Sequence, residues 1–223
     1  MKLHLQVPDT LDDITLAQYI EFDKVNIEGN QDTVFLMQKT IEIFCRVNLD
    51  LTLQIKYNDL VDISNHIYKL LDSSPELIPI FNLNGVEYGF IPKLDDITLG
   101  EYIDLDNYMG NWSDMAKAMS VMYRPITYRK GERYLIEEYD GSKYAEAMYS
   151  APLSVVLSAM IFFYNLRKEL LNLSLNCLKQ EMGETLTMEQ LKTLEVNGVG
   201  INQSLHYLTE MLNDLKISQN SQL

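Results

Sequence analysis

Cysteine, histidine and positive charge are all scarce in this 223-residue chain, and each scarcity removes a class of chemistry. Two cysteines, Cys45 and Cys177, cannot by themselves form a disulfide framework or a four-ligand zinc site. Both fall in apolar helical patterns, where a thiol acts as a small buried hydrophobe. The three histidines, His4, His66 and His206, lack the spacing that would put two metal ligands on one helix face. Lys and Arg number 18 against 32 Asp and Glu, a formal charge of −14. A surface that tracks phosphates needs clustered Lys and Arg, so direct nucleic-acid binding is not expected. Residues 1–8 (MKLHLQVP) lack the apolar core of a signal peptide, which points to an intracellular protein. The uncharged stretch 148–166 includes Pro152, Ser150, Ser154 and Ser158. Its strongly apolar part, 155–163, falls well below the ~20 residues that span a bilayer, so it reads as a buried core helix.

Motifs that carry chemistry are equally sparse. There is no P-loop, no Gly-x-Ser-x-Gly and no EF-hand loop, and Gly198-Val-Gly200 lacks the third glycine of a dinucleotide fingerprint. The aspartate pairs Asp12-Asp13 and Asp95-Asp96 stand just before helix starts, where the backbone dipole favours negative charge by about 0.3–1 kcal/mol. An enzymatic reading would rest on Asp95, Asp96 and Glu101, with no nucleophile or base beside them. No enzyme, metal or cofactor is expected.

What is present is a repeat. Residues 11–23 (LDDITLAQYIEFD) and 94–106 (LDDITLGEYIDLD) agree at nine of thirteen positions, 83 residues apart. Thr15 and Thr98 suit an N-cap, with Gln18 and Glu101 three positions on completing a capping box. Leu16, Tyr19 and Ile20 then share one helix face, as do Leu99, Tyr102 and Ile103, and both faces are expected to be buried. Weaker echoes follow: 34–47 with 115–126, pairing Arg46 with Arg124, and Leu60, Ile63 and Ile67 with Leu153, Val156 and Met160.

The connections distinguish the halves. In 78–92, Asn84-Gly85 is a type I′ hairpin signal between alternating apolar arms. Residues 126–139 read as a second hairpin turning near Lys130-Gly131. Residues 3–7 (LHLQV) and 49–57 (LDLTLQIKY) alternate as strands do. The fold class is therefore mostly α with small β-hairpins: a first helical copy (1–76), a hairpin plus second copy with an inserted hairpin and a long apolar helix (77–183), and a two-helix arm with a polar tail (184–223). In the arm, Thr187 and Gln190 form another box pattern, and Leu205, Leu208, Met211, Leu212 and Leu215 share a face.

Binding surface is the remaining functional possibility. Methionine and tyrosine, at 11 and 14 residues, suit adaptable interfaces. Trp112, Met115, Met119, Met122 and Tyr123 either fill the core of the second copy or line a pliable groove for a partner. Arg124, before Pro125, either positions the hairpin through an acidic group or reaches an acidic partner. Leu208 and Met211 are the corresponding candidates in the arm.

Three phrases, DDITLGEYIDLDNY (95–108), MSVMYRPIT (119–127) and PLSVVLSAMIFFYNL (152–166), together resemble small accessory proteins from the structural modules of tailed bacteriophages. These include tail or baseplate assembly chaperone-like proteins and accessory proteins of crAss-like phages. The resemblance covers about a third of the chain, and the duplication and C-terminal arm depart from it. It implies a non-enzymatic virion component of the tail, neck or packaged cargo. The alternative is an assembly chaperone that leaves before maturation. The implied partners are tail, portal or tape-measure proteins, with oligomers possible, in the virion or in the host cytoplasm during assembly.

Replacing Thr98 by Ala is expected to cost about 1 kcal/mol through loss of the cap. A denaturant melt checks it, and unchanged stability would place the helix start elsewhere.

Overall fold

The computed structural model describes residues 4–26 and 33–182, with side chains as far as Glu169. The first repeat opens with a 3-10 turn, Leu11–Asp13, in which the Asp13 carboxylate accepts the Thr10 N–H at 2.9 Å. That bond, with a second from the Thr10 hydroxyl, holds the Asp13 carboxyl below its ordinary range. Helix α1 (Leu16–Val25) follows, with the expected box: Gln18 N–H donates to the Thr15 hydroxyl at 3.3 Å, and Gln18 Oε1 accepts the Thr15 N–H at 3.1 Å. Helices α2 (Thr33–Cys45), α3 (Leu49–Thr52) and α4 (Tyr57–Leu71) complete the first half.

A hairpin of β1 (Ile80–Leu83) and β2 (Val86–Phe90) leads into the second repeat. Asn84 and Gly85 both take positive φ, 53° and 82°, as a type I′ turn requires. After a 3-10 turn at Leu94–Asp96 come α5 (Leu99–Tyr108) and α6 (Met115–Met122). Helix α6 passes directly into β3 (Tyr123–Lys130), which returns as β4 (Arg133–Ile136). The two hairpins join through β2 and β3 into one antiparallel sheet, ordered β1-β2-β3-β4. Short α7 (Ala145–Met148) then leads to the 30-residue α8 (Leu153–Met182). The fold is thus mostly α with a small antiparallel sheet, as the sequence indicates.

Three sequence expectations are corrected. Described residues 4–7 pair with no strand. Residues 49–57 are a helical turn and the start of α4, because the Asn48 side chain caps α3 by accepting the Asp50 N–H at 2.9 Å. The echo between 34–47 and 115–126 breaks at Tyr123, where the second copy turns to strand while the first stays helical to Cys45.

One continuous hydrophobic cluster unites both repeats. Tyr19 of α1 lies 4.2 Å from Trp112, ring centre to ring centre, and Phe22 packs on Phe44. On the sheet side, Phe81 and Phe90 flank Tyr123, whose hydroxyl donates to the Ile78 carbonyl at 2.8 Å. Residues 153–160 of α8 are buried on every side, which is how a helix apolar all round avoids water. Among the described residues, no helix is long and apolar enough to cross a membrane. The arm beyond residue 183, with Thr187, Gln190, His206, Leu208 and Met211, lies outside the described residues.

Gly89 marks the tightest approach within the sheet: a Cβ there would stand 2.6 Å from the Tyr134 ring. That ring is pinned by its hydroxyl, which donates to the Phe90 carbonyl at 2.8 Å. Gly89→Ala is expected to cost about 1–3 kcal/mol through overpacking, measured by chemical denaturation.

Candidate docking site at the second capped helix

The side chain three residues into each repeat helix does two jobs. In α1, Gln18 caps through Oε1 and uses Nε2 to donate to the Ile43 carbonyl at 2.8 Å, tying the helix to the end of α2. In α5, Glu101 Oε2 accepts both the Thr98 N–H and the Thr98 hydroxyl at 2.7 Å. Its other oxygen, Oε1, meets Arg124 Nη2 at 2.7 Å, just past the end of α6. Each first helix is therefore anchored to the end of the second helix of its unit. A carbonyl suffices for the amide, whereas the carboxylate needs a cation. Arg46, the sequence counterpart of Arg124, stays exposed at the end of α2 with φ 54°.

The Glu101–Arg124 pair is almost wholly buried, and the Arg124 guanidinium lies 5.9 Å from the centre of the Tyr139 ring. The Tyr139 hydroxyl donates to Asp104, one helical turn beyond Gly100. Burial first, then the Asp104 carboxylate, drives this phenol far above its ordinary pKa. Gly100 lets the ring approach, since a Cβ there would sit 3.3 Å from it.

The same two positions face inward in both helices, Gln18 and Phe22 in α1 and Glu101 and Leu105 in α5, but the adjoining apolar side differs in its cover. In α1, Leu16, Tyr19 and Ile20 are 0%, 1% and 7% exposed; their counterparts Leu99, Tyr102 and Ile103 are 74%, 46% and 48% exposed. The expectation of a second buried face is corrected: Glu101 and Leu105 are the buried residues of α5. In α1 the apolar side meets α8 and Trp112, partners that lie far along the chain and leave no signal in the helix itself.

Of the two readings of the methionine cluster, core and partner groove, the core reading holds and the groove is corrected. Met115, Met119, Met122 and Tyr123 are fully buried, and Trp112 and Arg124 nearly so, because α6 is the central helix of the second unit and its residues face α5, α7 and the sheet. Arg124 does position the hairpin through an acidic group, Glu101. Thr15, Gln18, Thr98 and Glu101 are capping residues as expected. Asp95 is exposed and Asp96 pairs with Lys93 at 3.4 Å, so neither converges with Glu101 on a reacting centre. His66 binds the Pro8 carbonyl at 2.9 Å, a structural role, and burial pushes the Cys45 thiol up to about 11.

Beside the exposed face lies a groove of about 580 Å³ between the start of α5 and strand β4. Ile97, Thr98 and Glu101 form one wall, and Tyr134 to Tyr139 the other. Strand β4 is the last strand of the sheet, and no other strand among the described residues pairs with its far side. Arg124 lines the groove, and its buried Nε–H has no acceptor among the described residues. The arrangement offers apolar contacts, unpaired backbone and a buried donor, which is equipment for holding a polypeptide.

Replacing Arg124 by Met is expected to destabilise the fold by about 3–5 kcal/mol by stranding Glu101. Adding Glu101→Gln should recover part of that loss in a thermal or chemical melt. A double variant as unstable as the sum of both single variants would show that the pair does not act as a unit.

Comparison with protein-family models, with curated proteins and with solved structures finds no match to this chain.

Proposed function

We propose that this protein is a non-enzymatic morphogenesis protein of a tailed bacteriophage, retained in the virion as a tail, neck or cargo component and acting through protein contacts. The observation that carries the contact role is the uncovered α5 face. Leu99, Tyr102 and Ile103 stand at the i, i+3, i+4 spacing by which a helix meets a partner, and all three are exposed. Exposed apolar side chains grouped on one helix mark an interaction site far more often than scattered ones do. The phage assignment is supported by the three phrases in 95–166 that resemble phage accessory proteins. The partners would be tail, portal or tape-measure proteins. The acidic charge of −14 would keep the free protein soluble until it meets them.

Quantitative mass spectrometry of purified particles beside crude lysate tests the role. A fixed copy number in the particle is expected. Abundance in lysate with absence from particles would replace this reading with that of an assembly chaperone. Tyr102→Asp with Ile103→Asp should leave the melting temperature of the free protein nearly unchanged and remove it from particles. Normal incorporation of that variant would place the contact on another surface.

A further inference from the structure

The first repeat shows what its motif binds. The segment 149–154 (Tyr-Ser-Ala-Pro-Leu-Ser) lies against residues 12–17 and satisfies them group by group. Leu16 N–H donates to the Ala151 carbonyl at 3.0 Å, and Ala17 N–H donates to the Tyr149 carbonyl at 2.9 Å. In return, Leu153 N–H donates to the Ile14 carbonyl at 2.8 Å, and the Ser154 hydroxyl donates to the Asp12 carboxylate. Thr15 and Pro152 face each other in an antiparallel bridge. These are two of the four N–H groups that a helix start leaves without an intrahelical partner, here met by an incoming segment.

The second repeat presents the same set 83 residues on: Leu99 N–H, Gly100 N–H, the Ile97 carbonyl and the Asp95 carboxylate. The caps match as well, with Thr15 at φ −94°, ψ 156° and Thr98 at φ −75°, ψ 158°, each after a 3-10 turn. Yet none of these four groups has a hydrogen-bond partner among the described residues, and Leu99 is the most exposed large apolar side chain among them. The groove along Ile97 and Thr98, with Arg124 in its lining, adjoins these four groups.

We propose that the second repeat is a receptor for a segment of another protein that resembles 149–154: a small residue, proline, an apolar residue and a hydroxyl residue, leading into a helix. Its carbonyls would take the Leu99 and Gly100 N–H groups, and its hydroxyl would take Asp95. The occupant is not a second copy of this chain offering its own 149–154. That segment is seated within its own chain, and Met148, Ala151 and Leu153 are fully buried there. This site rests on the contact role proposed above and names the chemistry of the partner. Peptide titration tests the site alone, and particle composition tests the role alone.

The probe is a capped peptide of residues 147–156 (AMYSAPLSVV), titrated into the full chain by calorimetry and amide NMR. Saturable binding with shifts at Leu99 and Gly100 is expected. Leu99→Pro removes one donor and the apolar side chain while suiting the first position of a helix, so the fold should persist. It should weaken the peptide about tenfold or more, given the usual worth of one hydrogen bond plus a contact. Asp95→Asn, at an exposed position, and a peptide carrying Ser154→Ala should each weaken binding. No saturable binding would overturn the proposal. So would binding that ignores both Leu99→Pro and Asp95→Asn, because the peptide would then be displacing the chain's own segment from Thr15. A dimer in sedimentation that Leu99→Pro dissolves would put a second copy on the face, and a cross-link from Leu99→Cys to residues 184–223 would put the chain's own arm there. Either result would also overturn it.

Discussion

The second half of the molecule is organised around a buried carboxylate that cannot stay unpaired. Glu101 closes the cap of α5 with one oxygen and needs a cation for the other, and Arg124 supplies it from the first residues of β3. That bond ties the start of α5, which packs on α6, to the first residues of β3. The Tyr139 ring lies beside the guanidinium, while Leu99, Tyr102 and Ile103 stand in solvent. Isolated surface ion pairs contribute little, but one buried this deeply is costly to break, so it governs orientation more than net stability.

The two repeats show that nearly matching helices can differ in which neighbours cover them. Nine of thirteen residues are shared, the cap geometry is the same, and the apolar residues fall at the same positions. Only the third helical residue and its neighbour differ near the cap: Gln18 and Ala17 against Glu101 and Gly100. An amide is satisfied by carbonyls at the end of α2, so α1 lies with its apolar face on the core. A carboxylate takes the arginine, and a glycine admits the tyrosine, while Leu105, like Phe22 in α1, faces the core.

Features set by neighbours in sequence were legible beforehand: both capping boxes, the Asn84-Gly85 turn, the Gly131 hairpin and the buried helix after Pro152. Each depends on dihedral preferences or on hydrogen bonds spanning three or four residues. The buried face of α5 was not legible, because its apolar spacing is the same as that of α1 and the deciding partners are 23 and more residues away. The alternation in 49–57 misled for a related reason. Its period of two fits a strand, but the Asn48 cap closes a helical turn, burying Thr52 while Leu53 points to water. The methionines of α6 could be read as core or groove from sequence, and only packing separated the two.

The seat of 149–154 on the first repeat also sets an order of events. The Ser154 to Asp12 bond joins residues 142 apart, so α1 is made early and stays uncovered until most of the chain has followed. When 149–154 emerges during synthesis, two nearly identical seats await it, and the second lies closer along the chain. Closing the shorter loop costs less entropy, though the advantage grows only slowly with length. What distinguishes the two seats is cover, since only the first lies against α8 and Trp112. The second seat has no core beneath its apolar side chains, so the segment gains most by completing the distant one, and a nascent chain resolves its own internal duplication.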